Sequence, residues 1–141
     1  MVMKASDVMT LGAASTTVDA SLADAIRCMG DHRISALPVL DGEGHLRGIV
    51  SEGDFFRRDG GALRLDALVE ADSAERARLL GSREVSDIMS APPVTVDGQA
   101  SLEETIGIME QRKLKRLPVM SHGKLVGLIS RADILRFLLD R

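Results

Sequence analysis

The sequence predicts a mixed α/β fold of the α+β kind, made of two tandem units that each run strand, helix, strand, strand, helix. Three observations predict it. The chain is written twice, each copy carries a helix-capping signal followed by an apolar pattern of helical period, and each copy then carries two short apolar runs joined by a Gly-bearing turn. Ser6-Asp7-Val8-Met9-Thr10 returns 80 residues later as Ser86-Asp87-Ile88-Met89-Ser90, and Leu37-Pro38-Val39 returns at the same offset as Leu117-Pro118-Val119. Asp41-Gly42-Glu43-Gly44 is one residue longer than its counterpart around Ser121-His122-Gly123. Leu46, Gly48, Ser51, Asp54 and Arg57 therefore pair at an offset of 79 with Leu125, Gly127, Ser130, Asp133 and Arg136. The slip falls in a turn, where length is easily changed. A duplication that keeps a polar constellation as well as a core points to two related sites about a common axis.

Each element has its own signal. Extended stretches around Thr16-Thr17-Val18 and Val94-Thr95-Val96 open the two units. Ser21-Leu22-Ala23-Asp24 and Ser101-Leu102-Glu103-Glu104 have the Ser-x-x-acid form of a capping box, in which the acid reaches back to an unsatisfied backbone N–H, so each opens a helix. Leu22, Ala25, Ile26 and Met29 follow at helical spacing, as do Leu102, Ile106 and Met109, which predicts one core-facing stripe per helix. Leu37-Pro38-Val39-Leu40 and Leu117-Pro118-Val119-Met120 read as strands; proline lacks a donor, so each is expected at a strand start or on an edge. Leu46-Arg47-Gly48-Ile49-Val50 and Leu125-Val126-Gly127-Leu128-Ile129 complete a hairpin in each unit, and a second helix follows from Ser51 or Ser130. The first motif spans 1–59, a helical connector 60–84 and the second motif 85–141, with the two motifs expected to form one globular module. In the connector Gly60-Gly61 breaks the chain, Leu63, Leu65, Leu68 and Val69 carry an apolar pattern, and Asp72-Ser73-Ala74-Glu75 caps a further helix before Leu79-Leu80. Two short helices are expected there, as a packed connector, an extension of a dimer interface or a lid over a cleft.

Composition excludes several function classes. At 141 residues the chain suits one compact domain that buries roughly two thirds of its unfolded surface. A net charge of −3, no Trp or Tyr and only Phe55, Phe56 and Phe137 argue against nucleic-acid binding, which needs clustered cations or stacking platforms. No stretch approaches the ~20 apolar residues of a membrane span, and the start of the chain lacks the apolar core of a signal peptide, so a cytoplasmic location is expected. Cys28 stands alone, without a disulfide partner or metal-ligand spacing. His32, His45 and His122 show no metal spacing, there is no phosphate-binding P-loop and no Gly-x-Ser-x-Gly elbow, and the acids pair only as helix caps. The chain is not expected to be an enzyme.

Taken together, Ser-Asp-Val-Met-Thr, the capped helix, Leu-Pro-Val, the turn and Gly48-Ile49-Val50-Ser51-Glu52-Gly53-Asp54 resemble a CBS domain, and the second copy does so equally through Gly127-Leu128-Ile129-Ser130-Arg131-Ala132-Asp133. The two resemble a CBS pair, or Bateman module, over nearly the whole chain except about residues 58 to 84. The resemblance implies two units packed through their sheets with pseudo-two-fold symmetry. It also implies a regulatory module that binds adenosine-containing ligands such as AMP, ADP or ATP in clefts between the repeats. It implies a homodimer and a separate regulated enzyme or transporter, with no catalysis. The alternative is a dimerisation scaffold that binds no nucleotide.

The residues admit such a site on their own chemistry. Gly48 and Gly127 lack a Cβ, so backbone or ligand can approach closely. Ser51 and Ser130 fall where a strand hands over to a helix, whose free N–H groups suit a phosphate. Asp54 and Asp133 are placed like carboxylates that accept from ribose hydroxyls. Ser-x-x-Asp at a helix start is equally a capping arrangement. The copies differ in charge: Lys115 and Arg116 precede the second Leu-Pro where Ser35 and Ala36 precede the first, and Arg131 stands where the first motif has Glu52. In nucleotide-binding members of the family, basic residues there meet the phosphate, so phosphate contacts are expected mainly from the second repeat. The other reading of this basic run is a solvated edge. By resemblance, the adenine walls come from Thr16, Thr17 and Val18 in one cleft and Val94, Thr95 and Val96 in the other, with Ile49, Ala36, Leu128 and Leu117; each is also an ordinary core position.

Overall fold

The computed structural model of the chain describes residues 2–12, 14–57 and 65–140. Its elements are α1 (Ala5–Val8), β1 (Thr10–Leu11), β2 (Thr16–Thr17), α2 (Leu22–His32), β3 (Ala36–Leu40), β4 (Leu46–Ser51), α3 (Glu52–Phe56), α4 (Leu65–Glu70), α5 (Ser73–Ser82), a 3-10 turn (Val85–Asp87), β5 (Val96–Asp97), α6 (Leu102–Arg112), β6 (Arg116–Ser121), β7 (Lys124–Ser130) and α7 (Arg131–Asp140). The expected order holds twice, as β2-α2-β3-β4-α3 and β5-α6-β6-β7-α7.

Helices α2 and α6 begin at the expected serine caps, through the hydroxyl half of the capping box and not the reciprocal bond from the acid. The Ser21 hydroxyl accepts from the Asp24 N–H at 3.0 Å and the Ser101 hydroxyl from the Glu104 N–H at 3.1 Å. Both helices end on left-handed residues, Arg33 (φ 53°) and Lys113 (φ 56°), after which the N–H groups of Ile34 and Leu114 reach back to the carbonyls of Met29 and Met109 at 3.0 and 2.9 Å. Leu22, Ala25 and Met29 are buried, but Ile26 is exposed. It lies on the flank of the stripe, where the period of 3.6 carries it away from the core-facing line.

The hairpins are antiparallel, from Ala36↔Ser51 to Leu40↔Leu46 and from Arg116↔Ser130 to Ser121↔Lys124, and β2 and β5 add in parallel to β3 and β6. The one-residue slip between repeats reflects two different turns. In the second, His122 (φ 50°) and Gly123 (φ 77°) form a two-residue loop with both residues left-handed, matching the twist of the flanking strands. In the first, the Asp41 carboxylate accepts from the N–H groups of Glu43 and His45, each at 2.9 Å. That pair of bonds, His45 first, holds the Asp41 carboxyl below the usual carboxylate range.

Two expectations need correction. Pro38 and Pro118 lie inside β3 and β6, each with a strand on either side in its sheet, not at a start or an edge. They are tolerated because the parallel ladders begin one residue later, at Thr16↔Val39 and Val96↔Val119, so the missing N–H leaves no gap in them. The opening strands are also shorter and shifted: β2 stops at Thr17, with the Val18 N–H bonded to the Leu40 carbonyl at 2.9 Å, and Val94 and Thr95 precede β5.

The compact units in space do not follow the order of the repeats. One comprises Met1–Ala13 with Val94–Arg141, the other Ala14–Pro93. The opening segment of each repeat is built into the unit that holds the other repeat. The Ala5 N–H donates to the Ala100 carbonyl and the Val85 N–H to the Ala20 carbonyl, both at 2.8 Å, and Leu102 and Leu22 donate to Met3 and Arg83, both at 3.0 Å. Ala5 accordingly belongs to the core of Val96, Leu102, Met109, Leu117, Val119, Ile129 and Ile134. Val85 and Ile88 belong to the core of Leu22, Ala25, Met29, Leu37, Val39, Val50, Phe55 and Leu68. Both connector helices are present, with the Asp72 carboxylate capping α5 through the Glu75 N–H at 2.8 Å. Leu65, Leu79 and Leu80 pack on the first-repeat core beside Leu68, and α5 lies against α2. Gly60, Gly61 and Leu63, invoked for a break and an apolar pattern, lie outside the described residues. Among the described residues no helix is long and apolar enough to cross a membrane.

Two glycines make room for the exchanged segments. A Cβ on Gly48 would lie 2.7 Å from the Ser90 carbonyl oxygen and 2.9 Å from the Met89 sulfur; on Gly127 it would lie 2.7 Å from the Thr10 carbonyl oxygen and 2.8 Å from the Met9 sulfur. Gly127→Ala should therefore destabilise the fold by about 1–3 kcal/mol through overpacking. Gly107→Ala, at an open position in α6 with nothing within 4 Å, should stabilise it by about 1 kcal/mol through helix propensity. Chemical denaturation of the two variants measures both signs.

Candidate functional site

Strand β4 ends on Ser51, which has extended backbone (φ −130°) and serves as the N-cap of α3. The Asp54 carboxylate, three residues on, turns back: its Oδ2 accepts from the Ser51 N–H at 2.8 Å and from the Ser51 hydroxyl at 3.3 Å. Its Oδ1 accepts from the Ser90 hydroxyl at 3.0 Å and faces the Arg57 guanidinium at 3.5 Å. Arg57 also donates to the Ile88 carbonyl at 2.7 Å, so it bridges the motif to the segment that covers it. Asp54 is only 7% exposed, and a carboxylate so far out of water needs this many donors.

The second copy repeats the design. Asp133, 8% exposed, accepts at Oδ2 from the Ser130 N–H at 2.9 Å and at Oδ1 from the Thr10 hydroxyl at 3.2 Å and from Arg136. Here the Ser130 hydroxyl accepts from the Asp133 N–H at 3.1 Å, the reciprocal half of the cap. Each carboxylate thus accepts three hydrogen bonds, against roughly four acceptor positions, and Asp54 has the Arg57 guanidinium at 3.5 Å as an ion pair besides. The capping arrangement that Ser-x-x-Asp admits is present at both helix starts.

The charge difference between the copies has a defined place. The Arg131 N–H donates to the Lys115 carbonyl at 2.9 Å, as the Glu52 N–H does to the Ser35 carbonyl at 3.0 Å, and Arg116 faces Ser130 across the hairpin as Ala36 faces Ser51. Lys115, Arg116 and Arg131 therefore gather where β6, β7 and the first turn of α7 meet, beside Ser130 and Asp133. Lys115 and Arg131 are exposed and Arg116 is half-buried. The corresponding corner of the other unit carries Ser35, Ala36 and Glu52.

The expected wall residues divide by unit. Leu128 pairs with Pro118 and Thr10, Val96 is buried against Val119, and Leu117 is fully buried, while Thr95 precedes β5. In the other unit Ile49 bonds Ser90 in both directions, at 2.8 and 3.0 Å, Ala36 is buried, and Thr16 and Val18 line up beside β3. Sequence reasoning missed four residues that complete the motifs: Thr10 and Ser90, which bring a hydroxyl to each Asp, and Arg57 and Arg136, which bring a guanidinium. The signal was present. Ser-x-x-Asp-x-x-Arg occurs in both copies, and a hydroxyl residue follows the repeated Met9 and Met89.

A family model for the CBS domain matches residues 5–61 and again 85–140. Hypoxic response protein 1 of Mycobacterium tuberculosis is 32% identical over 134 residues, covering 95% of this chain and 84% of that protein. The chloroplastic CBS domain-containing protein CBSX1 of Arabidopsis thaliana is 33% identical over 139 residues, and the match spans 89% of this chain but 57% of that relative's length. Among solved structures, CBSX2 in complex with AMP superposes with a TM-score of 0.75 at 26% identity, covering 98% of this chain and 97% of that one.

The capping role has a consequence for mutagenesis. Asp133→Ala leaves the Ser130 N–H, the Thr10 hydroxyl and Arg136 without their shared acceptor, so it should lower unfolding stability by about 1–3 kcal/mol with no ligand present. Urea unfolding of the ligand-free variant tests this, and equal stability would show that the carboxylate is not structural.

Proposed function

Because the chain belongs to the CBS-domain family, we propose that it is a regulatory module that binds an adenosine-containing nucleotide (AMP, ADP or ATP) and conveys its occupancy to a partner enzyme or transporter, without catalysing a reaction. The observation that carries the reading is the corner of the second repeat, where Lys115, Arg116 and Arg131 gather beside Ser130 and the buried Asp133. Cations next to a helix N-terminus suit a phosphate, and a fixed carboxylate suits a ribose diol. The AMP complex of CBSX2, over nearly the full length of both chains, supports the ligand class. The adenine would rest on apolar walls, with Thr95, Val96 and Leu128 serving the second motif and Thr16, Val18 and Ile49 the first. The first motif keeps Ser51 and Asp54 but lacks the cations, so it is the weaker site in this reading.

A homodimer is part of the proposal. On α7, Leu135, Leu138 and Leu139 are 65%, 61% and 85% exposed, and Phe56, the repeat counterpart of Leu135, is 72% exposed. Side chains at this helical spacing share one face, and apolar faces of this kind mark association surfaces. A second reading, a dimerising scaffold without nucleotide, is favoured by one observation: both Asp carboxylates are already engaged in capping and ion pairing.

Thermal-shift titration separates the two. A ligand at 100 times its dissociation constant stabilises a fold by ~2.7 kcal/mol, so AMP, ATP or S-adenosylmethionine should raise the midpoint by roughly 2–8 °C; no shift at millimolar concentration leaves the scaffold. In calorimetry Arg116→Ala should weaken AMP and ATP by about tenfold or more and adenosine little, since a charged hydrogen bond is worth roughly 1.5–3 kcal/mol. Equal loss for all three would remove the phosphate assignment. Leu138→Asp should shift the protein towards monomer in sedimentation-velocity measurements, and an unchanged dimer would place the interface elsewhere.

A further inference from the structure

We propose that the Thr10 hydroxyl is a stand-in for a ligand hydroxyl on Asp133, and that its displacement by a ribose diol sets the affinity of the second-repeat site. The inference rests on the nucleotide reading above and assigns it a residue that the Ser-x-x-Asp motif does not contain. A carboxylate has roughly four acceptor positions, and three are used at Asp133, by the Ser130 N–H, the Thr10 hydroxyl and Arg136. A diol needs two, so one present donor has to leave.

The three donors are not equally free to go. The Ser130 N–H is fixed where β7 passes into α7. Arg136 compensates a carboxylate only 8% exposed, and removing it would leave that charge buried without a cation. Thr10 is neutral and exposed. Its backbone is held independently by the pairing of β1 with β7, Thr10↔Leu128 and Leu11↔Gly127, so the hydroxyl can leave by rotation about χ1 while the strand stays paired. The first repeat repeats the contact with Ser90 on Asp54; a hydroxyl is retained where the side chain differs.

The test is calorimetric titration of the full chain with AMP and with 2′,3′-dideoxyadenosine monophosphate, for the wild type, Thr10→Val and Thr10→Ser. Valine keeps the shape of threonine and removes the donor, so Thr10→Val should bind AMP about tenfold more tightly, the scale of one charged hydrogen bond. The dideoxy analogue, which has no diol to offer, should show no such gain. Thr10→Ser restores a hydroxyl and should return AMP affinity to near the wild-type value. Unchanged or weaker AMP binding by Thr10→Val, or an equal gain for both ligands, overturns the assignment of Thr10 while leaving the nucleotide reading intact. Failure of all three proteins to bind AMP overturns the nucleotide reading and this inference with it.

Discussion

The arrangement depends on a close approach of backbone to backbone at two glycines. Met89-Ser90 lies over Gly48 and Met9-Thr10 over Gly127, closer than any Cβ would allow. Because the segment can come that near, its backbone bonds the strand, its methionine covers it, and its hydroxyl reaches the Asp at the next helix start. Each unit therefore closes its core and completes its polar motif with residues that come from the other repeat. A single Gly-x-x-Ser-x-x-Asp lacks its covering strand contact and one hydroxyl donor to the carboxylate until that segment arrives.

This makes Asp54 and Asp133 structural before they are anything else. A carboxylate buried to this degree is tolerated only with donors around it, and the motif itself supplies an N–H and a guanidinium while the exchanged segment supplies a hydroxyl. A ligand that uses such a carboxylate enters an occupied site, and its net affinity is the difference between the bonds it makes and those it ends. Capping and recognition are thus competing uses of the same oxygen atoms, and a stability effect from changing either Asp says nothing by itself about ligand binding.

The repeats share their cores, caps and exchanged segments, and differ where the fold tolerates change. The hairpin turns differ in length because Asp41 organises one with its side chain while His122-Gly123 closes the other with left-handed backbone. The corners at the starts of β3 and β6 differ in charge: Lys115 and Arg131 are exposed and Arg116 is half-buried, where the other corner has Ser35, Glu52 and the buried Ala36. The connector follows one repeat only, and its leucines extend that repeat's core.

The sequence by itself determined the repeat, the order of elements, the capped starts of α2 and α6, the two hairpins and the strand-to-helix position of Ser51 and Ser130. These rest on interactions between residues a few positions apart, and the duplication states each of them twice. It misjudged Pro38 and Pro118, because whether a missing N–H matters depends on how far a neighbouring strand extends, and it counted Ile26 as core when only the packing shows the centre of the stripe. Tertiary structure alone decided which copy receives each opening segment, hence that Thr10 and Arg136 meet at Asp133 and Ser90 and Arg57 at Asp54. Two repeats with the same Gly-x-x-Ser-x-x-Asp-x-x-Arg motif offer similar partners to either segment, so a local pattern cannot say which is taken. That choice is made by contacts 123 and 36 residues apart in the chain, and only the folded backbone brings them together.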